Sequence, residues 1–334
     1  MTQAWAEKLL AGDRLALARA ITWVENEDER GFSLLQAVFP HTGKAWVIGL
    51  TGAPGAGKST LLMRLAEGFA AEGLRVGVVA VDPSSPFTGG ALLGDRVRWQ
   101  RRIQGDVFFR SLASRGRLGG LSRAAYDAIR LMDAAGRQVI LVETVGVGQA
   151  EVDIMHAAHT VVVVLAPGLG DDIQANKAGI AEIGDLFVVH KADREGAEEA
   201  ARHMRTALGL SPEARGRREG YTPPEEGGPA WFPPVLLVSS LPGKERGLEA
   251  LLQALRHHRR YLEEKGLFKE LTADEDRRRM EEVLSEGALK WVMDLAKEDG
   301  TLDEVLAALR RRDLDPRAAA RRILARVGGE KKVP

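Results

Sequence analysis

The stretch Gly52-Ala53-Pro54-Gly55-Ala56-Gly57-Lys58-Ser59, with Thr60 next, fits G-x-x-x-x-G-K-[ST] and constrains this chain more than any other segment. It follows the apolar run WVIGL and opens STLLMRLAEGFAAEG, whose apolar residues recur at helical spacing. In that strand–turn–helix setting, glycines let successive backbone N–H groups turn inward as an anion nest at a helix N-terminus. Lys58 then supplies a point charge for the β- and γ-phosphates, and the Ser59 hydroxyl is placed to ligate Mg²⁺. The expectation is a nucleotide phosphate site built from residues 52–60.

Around this motif, short apolar runs alternate with helical segments. The runs are AWVIGLT (45–51), RVGVVAVD (75–82), DVFFRS (106–111), QVILVE (138–143), TVVVVLAP (160–167), DLFVVHK (185–191) and VLLVSS (235–240). They show little polar alternation, as strands buried on both faces do. The fold class expected is α/β: a P-loop NTPase with a mostly parallel central sheet flanked by helices, plus helical extensions at both ends. Residues 2–40 carry Leu10, Leu17, Ile21 and Val24 at helical spacing, which predicts one or two amphipathic helices. Residues 211–234 are rich in Gly, Pro and charge and read as a surface excursion. Beyond about 244 the chain is helical again, with an apolar stripe through Val283, Leu284, Ala288, Trp291, Val292 and Leu295. So short a helical tail cannot enclose a core of its own and must cover its stripe on the main domain or on a second subunit. The organisation expected is a helical extension over 1–43, a nucleotide-binding domain over 44–262 and a helical arm over 263–334.

Mg²⁺ prefers oxygen ligands, often with water between. Asp82 and Glu143 end two of the predicted strands, where carboxylates would face a phosphate cleft. Glu143-x-x-Gly146 mimics an Asp-x-x-Gly motif whose glycine N–H senses a γ-phosphate. Asp95, in the glycine-rich loop 83–98, is a candidate metal or water-positioning group or else a surface charge. Lys177, in 171–180, approaches the nucleotide or is a solvated helix lysine.

The other end of the ligand is read by FVVHKAD (187–193). An Asn-Lys-x-Asp sequence after a strand holds guanine, and here His190 takes the place of Asn. The Asp193 carboxylate can accept from guanine N1–H and N2–H₂ together. Adenine offers no such donor pair, so a carboxylate facing it would lose its partners at a cost of about 1–3 kcal/mol. The Lys191 stem can cover one face of the base. Asn at 190 would tie this loop to the phosphate loop and touch the base edge. His190 keeps one donor and one acceptor but not the amide geometry, which predicts weakened affinity with the preference retained. Ser239-Ser240 fits a corner whose backbone N–H meets guanine O6.

Composition adds exclusions. Lys+Arg and Asp+Glu are balanced at 47 each, so no global charge argues for nucleic acid or a membrane surface. With no cysteine there are no disulfides and no thiolate metal sites, which fits a cytoplasmic setting. The N-terminus lacks the apolar core of a signal peptide, and no run of about 18 apolar residues predicts a membrane span. His257-His258 lies in the charged segment HHRRYLEEK and is read as a solvated face; the arginine runs 277–279 and 310–312, offset by nearby Glu and Asp, are read as a solvated or dimer-bridging face.

GAPGAGKST (52–60), AVDPSSPFTGGALLGDRVR (80–98), VETVGVGQAEVD (142–153), GDDIQANKAGI (170–180) and Trp231-x-Pro233-Pro234 together resemble the MeaB/ArgK family. These are GTPases associated with adenosylcobalamin-dependent acyl-CoA mutases, chiefly methylmalonyl-CoA mutase. The resemblance implies a SIMIBI-class G domain binding GTP/GDP and Mg²⁺, with a C-terminal arm that forms a homodimer. It implies slow hydrolysis that the mutase accelerates, and a chaperone that gates cofactor loading and protects the mutase. Lys58, Ser59, Asp82, Asp95 and Glu143 would serve phosphate and metal, and Lys177 a third switch. No glutamine or arginine finger stands out, although Gln149 is near enough to consider. Two other readings stay open: a P-loop kinase of the amino-acid-transport type, and a module that uses GTP only as a structural ligand.

Overall fold

The computed structural model describes residues 2–82, 105–113, 123–144, 156–168, 183–210 and 231–327. All seven predicted strands form, as β1 Trp46–Thr51, β2 Val76–Asp82, β3 Val107–Ala113, β4 Val139–Thr144, β5 Thr160–Leu165, β6 Leu186–Val189 and β7 Val235–Leu237. They make one sheet in the order β3-β2-β4-β1-β5-β6-β7, and every pairing is parallel. The α/β expectation holds.

The apolar strands lack alternation because both faces are covered. On one face Val47, Val79, Val81, Ile140, Val142, Val161, Val163 and Leu165 share a core with the N-terminal helices and with helices Arg123–Ala134 and Ala197–Leu210. On the other, Ile48, Leu50, Val76, Val78, Leu141, Val162 and Val164 meet helices Lys58–Ala71 and Leu248–Glu264. Trp46 lies edge-on to Phe69 across this second core, with ring centroids 5.7 Å apart.

The chain runs from β1 out to β2 and β3, returns to β4, and then crosses β1 to reach β5. The carboxyl end of β1 is thus the switch point where a doubly wound sheet opens a crevice. The expectation of one or two N-terminal helices is corrected to three: Thr2–Leu10, Arg14–Glu25 and Glu29–Val38, followed by a 3₁₀ turn at Phe39–His41. The two breaks have local causes. Asp13 and Asp28 each cap the next helix by accepting from its first backbone N–H groups, which ends one helix and starts another.

The chain divides into two compact units, Met1–Thr272 and Ala273–Pro334. Within the second, Ala296, Val305, Ala308 and Ala319 are buried among helices Leu267–Glu298, Thr301–Arg310 and Pro316–Val327. Among the described residues no helix is long and apolar enough to cross a membrane.

His258 corrects a sequence expectation. It is only 2% exposed, not solvated. Its Nδ1 lies 2.9 Å from the Thr160 hydroxyl, which also accepts from the Trp46 indole N–H at 2.9 Å. Its Nε2 lies 3.7 Å from Asp185, and its ring packs against Trp231 with centroids 4.6 Å apart. Neighbouring His257 is exposed, as expected. The charged pattern of HHRRYLEEK hid the residue that faces the core.

Candidate nucleotide site

The phosphate loop leaves β1 at Thr51 and turns at Gly52, whose φ is +132°; a Cβ there would lie 2.1 Å from the Val164 carbonyl oxygen of β5. Only glycine permits the loop to hug its neighbouring strand this closely. The loop closes at Gly57, also left-handed, which caps helix Lys58–Ala71. That helix places its N-terminus, with its first-turn N–H groups and positive dipole end, at the mouth of the crevice. Lys58 is buried, and its ammonium donates to the carbonyls of Gly52 at 2.6 Å and Ala53 at 3.1 Å. It therefore spans the two ends of the loop.

β4 pairs with β1 so that Glu143 stands opposite Leu50, just before the loop begins. The buried Glu143 carboxylate accepts from the Ser59 hydroxyl at 2.5 Å. A hydroxyl and a carboxylate this close form a hard oxygen donor pair suited to Mg²⁺. Asp82 ends β2, the strand beside β4. Among the described residues there is no group of three or more His, Cys, Asp or Glu side chains that could cage a metal. Asp95, Gly146 and Lys177 lie outside the described residues.

The second half of the site comes from the end of β6. The His190 N–H donates to Leu165 on β5 at 2.8 Å, and Ala192 N–H to Val238 at 3.1 Å, which pins the segment between two strands. His190 is 3% exposed. Its Nδ1 lies 3.2 Å from the Ala56 carbonyl oxygen and its Nε2 lies 3.0 Å from the Ser240 hydroxyl. A carbonyl can only accept, so Nδ1 carries the proton, and in the neutral ring Nε2 accepts from Ser240. Burial pushes the imidazole below the ordinary histidine range, with its bond to Ala56 opposing.

Lys191 follows with φ +54°, a left-handed conformation uncommon outside glycine. Its ammonium donates to the Gly55 carbonyl at 2.6 Å. Successive residues thus grip successive carbonyls of the phosphate loop. The Asp193 carboxylate accepts from the Ser239 hydroxyl at 2.8 Å, and that bond holds it below the usual carboxylate range. The Ser239 backbone N–H is committed to Arg246, and the Arg246 guanidinium donates back to the Ala192 carbonyl. The roles of the Ser239 and Ser240 side chains were not legible in the sequence, which pointed only to their backbone. The signal was a hydroxyl where either a small apolar residue or a serine would serve.

The geometry brings together residues 52–60, Glu143, His190, Lys191, Asp193, Ser239 and Ser240. It offers an anion nest with a buried lysine, an oxygen pair for a hard cation, and an ionised carboxylate in a fixed corner.

Comparison with known proteins gives the family and the fold. Residues 17–297 match the family model described as methylmalonyl Co-A mutase-associated GTPase MeaB. A protein of Pyrococcus abyssi that carries a provisional GTPase name is 45% identical over 327 residues, covering 97% of this chain and 96% of that protein. GTPase ArgK of Escherichia coli is 34% identical over 324 residues, covering 95% of this chain and 93% of that protein. A mouse protein named methylmalonic aciduria type A homolog, mitochondrial, is 34% identical over 251 residues, which is 71% of this chain and 58% of that protein. The crystal structure of an LAO/AO transport system kinase superposes with a TM-score of 0.71 at 28% identity, covering 98% of both chains.

Proposed function

This chain belongs to the MeaB family of GTPases, and we propose that it is a slow, Mg²⁺-dependent GTPase that serves an adenosylcobalamin-dependent acyl-CoA mutase as a chaperone. The observation that carries the reading is the physical union of the two halves of the site: His190 and Lys191 hold the carbonyls of Ala56 and Gly55. Base recognition and phosphate binding are then one rigid unit.

In this reading Asp193 accepts from guanine N1–H and N2–H₂, and the Ser240 N–H donates to O6. The Ser239 N–H is already taken. The Lys191 stem covers one face of the base. The loop N–H groups hold the β-phosphate, and Lys58 exchanges its carbonyl partners for phosphate oxygens. Ser59 and Glu143 would hold Mg²⁺, with Asp82 and Asp95 helping through water. When bound, Mg²⁺ would neutralise charge on the phosphate oxygens. Gly146 would sense the γ-phosphate and Lys177 would belong to a further switch. Hydrolysis is attack of water in line with the leaving oxygen, so positioning and charge stabilisation supply most of the rate. The sequence offers no clear finger residue beyond the candidate Gln149 to complete the charge on the transition state, so turnover would be slow until a partner completes the site.

The mutase partner is supported by the family description and by the name of the mouse relative. We place the guanine-binding domain at 44–262, between a helical extension over 1–43 and an arm over 263–334 that pairs two copies into a homodimer. The test uses the full chain with a purified mutase of this class. The mutase should raise GTP turnover, and the protein should slow its inactivation. Glu143→Gln should lower turnover by about 10–100-fold and weaken the protection. Full protection by that variant would mean GTP is only a structural ligand. The kinase reading, suggested by the name of the superposed structure, predicts a labelled acceptor from γ-labelled GTP in place of free phosphate.

A further inference from the structure

Guanine presents its polar atoms in a fixed order: N2 and N1, then O6, then N7. If Asp193 takes the first two and the Ser240 N–H takes O6, the next position along the corner is that of His190, whose side chain touches Ser240. In that arrangement the side chain at 190 would border the N7 edge. A neutral imidazole has one donor and one acceptor, and no third polar atom. Both are spent here, Nδ1–H on the Ala56 carbonyl and Nε2 on the Ser240 hydroxyl. The Nδ1–Cε1 edge of the ring packs against Gly57, which leaves no room to turn to that side. A Cβ at Gly57 would meet those two atoms at 2.3 and 2.8 Å. The surrounding protein closes the other directions, leaving His190 3% exposed.

We infer that His190 is a positioning residue that makes no hydrogen bond to the base, so the protein binds guanine nucleotides without reading position 7 of the ring. The ligand class is accordingly wider than guanine itself. It includes 7-deazaguanine nucleotides, in which N7 is replaced by C–H while the N1, N2 and O6 groups are kept. An asparagine at 190 would differ in valence. Its amide has two N–H donors, and after one is given to Ala56 the other remains for N7. This inference rests on the guanine reading of the corner, and the test separates the two.

The full chain with Mg²⁺ is titrated with GDP, 7-deaza-GDP and ADP. The expected result is 7-deaza-GDP within about threefold of GDP and ADP weaker by at least about tenfold, or about 1.4 kcal/mol. If ADP matches GDP, the guanine reading fails and the inference falls with it. If ADP is weak but 7-deaza-GDP is also more than about threefold weaker than GDP, the guanine reading stands and this inference is overturned. His190→Asn is expected to acquire a preference for GDP over 7-deaza-GDP. Indifference in that variant would overturn the assignment of position 190 to the N7 edge. A readout that does not depend on affinity is the tautomer. ¹⁵N resonances of the imidazole in the GDP complex should report a protonated Nδ1 and a bare Nε2, and the opposite tautomer would contradict the Ala56 bond.

Discussion

A methyl group on Gly57 would lie 2.3 Å from Nδ1 of His190. The last glycine of the phosphate loop and the first residue of the base corner are in such close contact that neither can change alone. Gly57 also has φ +95°, which disfavours any side chain. Gly57→Ala should therefore cost about 1–3 kcal/mol of stability and weaken GDP binding by at least about tenfold. Gly57→Ala/His190→Ala should recover part of the loss, since it removes the clash and keeps the backbone penalty. Urea unfolding and GDP titration of the variants check this, and a wild-type affinity for Gly57→Ala would contradict the geometry.

His190 also makes stability depend on pH. Burial lowers its folded-state affinity for a proton, while the unfolded chain protonates near the ordinary histidine value of about 6.5. The charges beside it oppose each other, with Lys191 disfavouring and Asp193 favouring the imidazolium. Above about pH 6.5 the contribution is fully present. As pH falls below that value the unfolded state takes up the proton first, so stability falls until the folded imidazole also titrates. The gap in urea midpoint between wild type and His190→Asn should shift against the wild type between about pH 6.5 and 5. A gap that does not change over that range would mean the ring is not buried in its neutral form.

At the opposite end of the sheet, His258 should matter for folding and not for nucleotide. Thr160 opens β5 and Asp185 precedes β6, so this network lies at the amino ends of strands whose carboxyl ends build the site. His258→Ala leaves the Thr160 hydroxyl without its ring partner and removes a ring packed against Trp231. The expected loss is about 1–3 kcal/mol in urea unfolding, with the GDP dissociation constant unchanged. A large change in GDP affinity would refute the separation of the two ends.

The fold was legible because its strands are buried on both faces and so read as unbroken apolar runs; β1 and β5 contain no exposed residue. The phosphate loop was legible because glycine and lysine are needed there at fixed spacing. His258 was not, since burial of a polar side chain is set by partners far away in sequence, Thr160 and Asp185. The break between the first two N-terminal helices was missed for a local reason, the capping by Asp13 that a reading of apolar periodicity passes over. His190 was legible as a departure, but its consequence was not. Its place in the motif implied a weakened base contact, whereas in the structure both ring nitrogens are spent on the protein.

The helix Leu267–Glu298 leaves Met280, Val283, Leu284, Leu289 and Trp291 more than half exposed, while Val292 and Leu295 of the predicted stripe are partly buried. If this face pairs two copies, its outward residues carry the association. Leu284→Glu with Trp291→Glu should yield monomers by light scattering with the helical signal kept. A dimer mass in that double variant, or a monomer mass in the wild type, would refute pairing through this helix.

The most direct test of the account is calorimetric titration of the full chain, with Mg²⁺, by GDP and by ADP. The corner of His190, Lys191, Asp193 and Ser240 predicts GDP binding tighter by at least about tenfold, or about 1.4 kcal/mol. Equal or tighter binding of ADP would contradict it, because the ionised Asp193 would then be reading nothing that distinguishes guanine.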